Sequence, residues 1–222
     1  MEKHTPYFKV LEALQKARDC ALCGLEKGSL KSHLDAFLYE NVNNPGARDA
    51  LRASHGYCPH HTHHLAGFHD NLAFSILYQD HAALADAFLK KAAPHKTLFT
   101  EWANHEICPV CRQAQQIRNH YLGMLAEGLR EPEMREALTD RFYFCWNHFL
   151  LLVDSIHDER LKEQLAVLMR GRLSNLASRL EQYCQDCQKN AAGEQFESPH
   201  AFAWKEALET FSGQKDFFEG LM

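Results

Sequence analysis

Residues 161–183 read LKEQLAVLMRGRLSNLASRLEQY, and the apolar positions Leu161, Leu165, Met169, Leu173, Leu176, Leu180 and Tyr183 recur three or four apart. An α-helix turns once in about 3.6 residues, so this spacing lays one apolar stripe along a single helix face for about six turns. The run from Leu65 to Lys91 places Phe68, Leu72, Ile76, Leu77, Leu84 and Phe88 in the same manner and predicts a second long helix. No stretch alternates as a half-buried strand would. Glycine (11) and proline (7) are sparse among the 222 residues, while Ala, Leu, Glu, Gln and Lys are common, which is a helical composition. The expected fold class is all-α.

Beyond the long helices, the chain repeats itself. Cys20-Ala-Leu-Cys23 is matched by Cys108-Pro-Val-Cys111, 88 residues on, and Cys58-Pro-His-His61 by Cys145-Trp-Asn-His148, 87 residues on. Leu38, Glu40, Pro45, Arg48, Ala50 and Leu51 recur as Leu125, Glu127, Pro132, Arg135, Ala137 and Leu138, and Tyr57 becomes Phe144. Such self-similarity marks a duplicated structural unit. Pro45 and Pro132 suit the first position of a short helix. The expected architecture is a pseudo-twofold bundle of two metal-tied helical units, 7–93 and 94–188, the second closing with a long helix over 149–187. In 189–222 a polar linker at Asn190 to Glu194 leads to a last helix near 199–212, ended by Gly213 and packed on the same domain. Each unit has an apolar stripe it cannot cover alone, so the two long helices should pack together and the halves should depend on each other.

The repeated motifs carry the chemistry. Zinc takes four tetrahedral ligands from thiolate and imidazole, and CxxC or CxxH supplies two of them from one turn or helix start. The reading places Cys20, Cys23, Cys58 and His61 in one Cys3His site and Cys108, Cys111, Cys145 and His148 in another, the chain between each CxxC and CxxH folding back as a two-helix excursion. Buried core thiols would explain one CxxC but not two CxxC…CxxH sets of nearly equal spacing. A redox dithiol leaves CxxH unexplained, and an iron–sulfur cluster remains an alternative occupant.

Two features stand outside the repeat. Cys184-Gln-Asp-Cys187 continues the apolar stripe and has no CxxH downstream. It reads as packed or idle thiols, or as a weak metal or redox site with His200 as a further ligand. His55, His60, His61, His63, His64 and His69 fall within fifteen residues, whereas positions 147, 150, 151 and 156 of the second half are Asn, Leu, Leu and Ile. His60 and His64 share a helix face. The run is read as a polar helix start or as an additional metal site built on that pair, with His55 or His63 nearby and His61 committed to the cysteines.

The ordered motifs CxLC, G-aromatic-CxxH, Ile76-Leu77-Tyr78-x-Asp80, CPxC and FCxxH resemble an uncharacterised prokaryotic family catalogued as a domain of unknown function. The ending from Trp204 to Gly213 is similar too. The resemblance spans most of the chain and implies metal-ligating cysteines and histidines and no known activity. The Cys184 motif and the histidine run are departures from it.

A net charge of −5 argues against a general nucleic-acid binder. No apolar leader and no run long enough to span a membrane is visible, so the expected location is the cytoplasm, where eight cysteines favour metal over disulfides. No nucleophile elbow, P-loop or HExxH is present. Ligand sets complete at four belong to structural sites. The leading reading is a zinc-binding structural or interaction module with a protein partner or self-association. The rivals are an iron–sulfur or dithiol redox protein, and a metalloenzyme or metal-handling protein using the histidine run.

Overall fold

The computed structural model describes residues 5–91, 98–103, 105–140, 142–189 and 198–213. Among them all regular structure is helical. Helix α1 spans Thr5–Lys16 and α2 spans Ala21–Ala36, extended by a π turn at Phe37–Asn41. Helices α3 (Pro45–Ala53), α4 (Pro59–Ala66), α5 (Asn71–Lys91) and α6 (Leu98–Ala103) follow. Then come α7 (Pro109–Gly128), α8 (Pro132–Asp140), α9 (Trp146–Ser155), α10 (Glu159–Lys189) and α11 (Ala203–Ser212).

Local chemistry sets these boundaries. Pro45 and Pro132 each open a nine-residue helix, and the Asn44 side chain caps α3 by accepting from the Ala47 amide at 3.2 Å. The apolar spacing predicts one helix through 65–91 and another through 149–187; both are interrupted. Asp70 accepts from the Ala73 amide at 2.9 Å and starts α5 afresh, while Asp158 accepts from the Arg160 and Leu161 amides at 3.0 and 3.3 Å and starts α10. A carboxylate that satisfies otherwise orphaned amides favours a new helix over continuation of the old one. The signal was present twice, as His69-Asp70 and, 88 residues on, His157-Asp158.

The chain divides into two compact units. A terminal unit takes the described residues of Met1–Glu26 and Asn119–Asp216, and a central unit those of Lys27–Arg118. The units therefore do not follow the sequence halves 7–93 and 94–188: the chain passes from one to the other within α2 and within α7. The half boundary at 93–94 and the linker at 190–194 lie outside the described residues.

In the terminal unit α1 packs on α8, and α11 packs on both α9 and α10. Its core includes Tyr7, Leu125, Leu138, Phe144, Leu152 and Leu165, all fully enclosed. In the central unit α3 packs on α5 around Leu34, Leu38, Leu51, Leu65 and Leu77. The two long helices α5 and α10 fall in different units.

Candidate metal centres

All four ligand pairs are built alike. Cys20, Cys58, Cys108 and Cys145 each stand immediately before a helix, and Cys23, His61, Cys111 and His148 are the third residues of α2, α4, α7 and α9. The carbonyls of the four leading cysteines accept the first helical hydrogen bonds, from Gly24, Thr62, Arg112 and Phe149 at 2.9–3.2 Å. Cys58 and Cys145 have nearly the same extended backbone, φ −64, ψ 158 and φ −73, ψ 159. Every pair thus sits at a helix N-terminus, where free amides and the helix dipole favour thiolate.

The pairing is exchanged relative to the sequence reading. The structure gathers Cys20, Cys23, Cys145 and His148 in the terminal unit, and Cys58, His61, Cys108 and Cys111 in the central unit. Each CxxC meets the CxxH of the other half. The expected in-half sets, Cys20/Cys23 with Cys58/His61 and Cys108/Cys111 with Cys145/His148, do not form. The physical reason is helix length. Helix α2 and its π turn run about 30 Å, whereas the nine-residue α3 could retrace at most about 13 Å. The connections around α3 are tight, with Asn44 N–H donating to Asn41 O and Gly56 N–H to Leu51 O, and add little reach. The two-helix excursion does not return to its origin.

In the terminal centre His148 Nδ1 lies 3.4 Å from Cys20 Sγ, 3.3 Å from Cys23 Sγ and 3.3 Å from Cys145 Sγ, and Cys23 and Cys145 sulfurs are 3.8 Å apart. In the central centre His61 Nδ1 lies 3.2, 3.8 and 3.3 Å from the sulfurs of Cys58, Cys108 and Cys111, and Cys58 and Cys111 are 3.7 Å apart. A ring nitrogen has one lone pair or one hydrogen, so it cannot satisfy three thiols at once. One cation at the common centre can. Zinc–sulfur and zinc–nitrogen bonds of about 2.3 and 2.0–2.1 Å give tetrahedral edges of about 3.8 Å between sulfurs and about 3.6 Å between sulfur and nitrogen. The donor sets fit that ion.

The electrostatics agree with the need for a cation. Hydrogen bonds first from Cys20 and Cys23, then from His148, hold Cys145 far below the ordinary thiol range, while the Cys145 and Cys23 sulfurs, with burial, drive Cys20 far above it. Burial lowers His148, but its bonds to Cys145, Cys23 and Glu26 outweigh this and raise it to about 11. In the central centre burial pushes Cys111 up to about 12, with the Cys58 and Cys108 sulfurs adding to it. Burial also pushes on Cys108, yet His61 and backbone amides bring it below its usual value. Three sulfurs this close cannot all ionise without positive charge among them.

The surroundings differ. All four ligating residues of the terminal centre are buried, and His148 Nε2 lies 2.7 Å from Glu26 Oε1. Arg172 reaches in from α10 and donates from Nη1 to the Phe144 carbonyl at 2.8 Å, holding the segment before Cys145. Gly213, beyond α11, backs onto the centre: a Cβ there would stand 3.3 Å from Cys23 Sγ and 3.9 Å from Cys145 Sγ, and its φ is +84°. Glu26, Arg172 and Gly213 lie outside the ligand motifs, and in the sequence Gly213 signals only a helix stop. The glutamate has a signal, three residues after Cys23, but it becomes meaningful only once His148 is known to lie opposite. In the central centre Cys58 and Cys111 are half-buried, and Ala114 occupies the position equivalent to Glu26.

Of the remaining candidates, Cys184 is exposed and Cys187 half-buried near the end of α10. Among the described residues neither joins a group of three ligating side chains, and His200 does not approach as a third ligand. His60, His61 and His64 do form such a group. His55 does not join it: its Nδ1 is 2.8 Å from the Trp102 carbonyl and its ring stacks on the indole at 4.1 Å. His63 and His69 are exposed and also stay outside the group.

No helix among the described residues is long and apolar enough to cross a membrane. The family described as "Family of unknown function (DUF6062)" matches residues 1–187. A curated relative, an "Uncharacterized 23.9 kDa protein in xynA 3'region" of Caldicellulosiruptor sp. (strain Rt8B.4), is 24% identical over 199 residues, covering 87% of this chain and 95% of the relative. No solved structure matches the chain.

Proposed function

Since the chain belongs to the DUF6062 family, whose description assigns no activity, we propose a function from the chemistry of its own side chains: a zinc-tied helical module that presents a surface to a protein partner or to a second copy of itself. The observation that carries this reading is the pair of closed donor sets, each with three sulfurs and one imidazole nitrogen within 4.8 Å of one another. Four protein ligands leave no open coordination position, which is the pattern of structural rather than catalytic zinc. The sulfur–sulfur separations of 3.7 and 3.8 Å favour a single ion over an iron–sulfur cluster. A cluster interposes several atoms and holds its ligands further apart.

Bound zinc supplies a fixed tetrahedral node. The residues do the rest: His148 keeps its tautomer by donating from Nε2 to Glu26, and the helix N-termini offset the charge of the thiolates. The interaction role is supported by α11, whose Trp204, Leu208 and Phe211 share one face and are 46, 58 and 55% exposed. A cytoplasmic setting is consistent with eight unpaired cysteines.

Anaerobic purification followed by elemental analysis tests the proposal. Two zinc ions per chain and no absorption in the visible are expected. Iron with inorganic sulfide would replace it with an electron-transfer reading, and a metal-free folded protein would end it.

A further inference from the structure

The histidine run gains one definite feature from the fold. Helix α4 is only eight residues long, and its first turn carries both His60 and the ligand His61, with His64 one turn on. The His60 and His64 rings approach to 3.9 Å between centroids, and His61 lies 5.0 Å from His60 and 5.7 Å from His64. One ring nitrogen from each of the three falls within 4.8 Å of the others. His64 is only 7% exposed, and so is His61, while His60 faces solvent.

The helix itself does not require this arrangement. Helix α9 begins the same way from Cys145, yet it carries Asn147 and Leu151 where α4 carries His60 and His64. Leu151 is 38% exposed there, so the terminal unit leaves at the surface the position that the central unit fills with a buried imidazole. The outer side of the ligand histidine is likewise served differently: Glu26 meets His148, while the position equivalent to Glu26 beside the central centre is Ala114.

We propose that His60 and His64, with His61 as the third side, form a separate binding site for a borderline divalent cation such as Ni2+, Cu2+ or Zn2+, at the solvent side of the central Cys3His centre. Neutral imidazoles suit these metals. Ligand nitrogens around one such ion stand about 3.4 Å apart, within the spread of the three ring nitrogens. His61 takes part through both ring edges: Nδ1 faces the sulfurs, and the opposite nitrogen releases its proton to solvent as it takes the second ion, so that the ring bridges the two sites. A site of imidazoles without thiolate binds more weakly and exchanges faster than the cysteine centres. This inference rests on the zinc reading above in one respect only, that the cysteine centres are filled first.

The test uses the full-length, zinc-loaded chain, titrated calorimetrically with NiCl2, with zinc counted before and after. One nickel equivalent beyond two retained zincs is expected. The variant H60N/H64L substitutes the residues that α9 carries at the same positions, and it should lose that equivalent while keeping both zincs. The control H63N/H69N should bind nickel as the wild type does. Nickel uptake unchanged in H60N/H64L, or absent from the wild type, overturns the proposal. If H60N/H64L loses zinc as well, the pair merely supports the cysteine centre, and the proposal falls while the two-centre reading stands. With Co2+ in place of zinc, the visible bands of the cysteine centre should shift as the further ion binds; bands that stay fixed would remove His61 from the site.

Discussion

The terminal centre encloses all four of its ligating residues and props His148 with Glu26, whereas the central centre leaves Cys58 and Cys111 half-exposed and sets a histidine pair beside His61. The same motif, CxxC with CxxH at two helix starts, builds both. The difference lies in side chains that are not ligands. A part-buried carboxylate fixes the tautomer of the histidine and strengthens it as a donor, while half-buried thiols are open to solvent, competing metals and oxidants. On the zinc reading, the terminal set should hold an ion more tightly and the central set should exchange it more readily.

The pairing of half-sites can be broken most decisively. In the exchanged arrangement C20S/C145S damages one centre and should cost one zinc, while C20S/C58S damages both and should cost two. In-half pairing would give the opposite counts by elemental analysis. Each lost centre should also lower stability heavily, since structural zinc contributes on the order of 10 kcal/mol to folding in small domains.

Gly213→Ala should disturb only the terminal centre. The backbone there, φ +84° and ψ 177°, is a region almost reserved for glycine, and the added methyl meets Cys23 Sγ. A loss of about 1–3 kcal/mol in chemical denaturation is expected, with the terminal zinc released at lower chelator concentration. An unchanged release profile would mean that the C-terminal cap of α11 does not bear on the centre.

Glu26→Ala should narrow the gap between the two centres. Removing the carboxylate behind a ligating histidine weakens metal affinity by about 10–100-fold. Competition with a chromophoric chelator should show two distinct affinities in the wild type and convergence in the variant. If only the weaker phase moved, the assignment of Glu26 to the tighter centre would be wrong.

The smallest effect belongs to Asp80 of the central unit, which pairs with Arg52 at 2.9 Å and Arg48 at 3.4 Å and has Leu168 as its counterpart in the repeat. The Arg52 hydrogen bond holds its carboxyl below the usual range. A depressed carboxylate stabilises the fold above its unfolded pKa, and that contribution is lost as pH falls through the folded value. The pair is partly exposed, which weakens it, so Asp80→Asn should lower Tm by no more than about 4 °C at neutral pH and leave Tm unchanged well below pH 3. An equal drop at both pH values would assign the loss to packing.

Much of this was legible in the chain. The three-and-four spacing of Leu161, Leu165, Met169 and Leu176 announced α10, and all four are buried. Pro45 and Pro132 marked the starts of α3 and α8. The eight repeated cysteines and histidines are the residues that the fold gathers into two groups. The breaks at Asp70 and Asp158 are hidden from the apolar spacing, because periodicity continues across a cap while backbone hydrogen bonding does not.

What the sequence by itself determined is the helical class, the helix starts and the ligand types, because these follow from local spacing and from the chemistry of single side chains. Only the tertiary structure decided which half-sites meet. Ligand spacing along a chain says nothing about direction in space. Helix α2 runs further out than α3 returns, so Cys23 found His148 and Cys111 found His61. The same tertiary choice brought Glu26 and Gly213 to one centre and left His60 and His64 beside the other, because which side chains surround a metal depends on which helices carry them there.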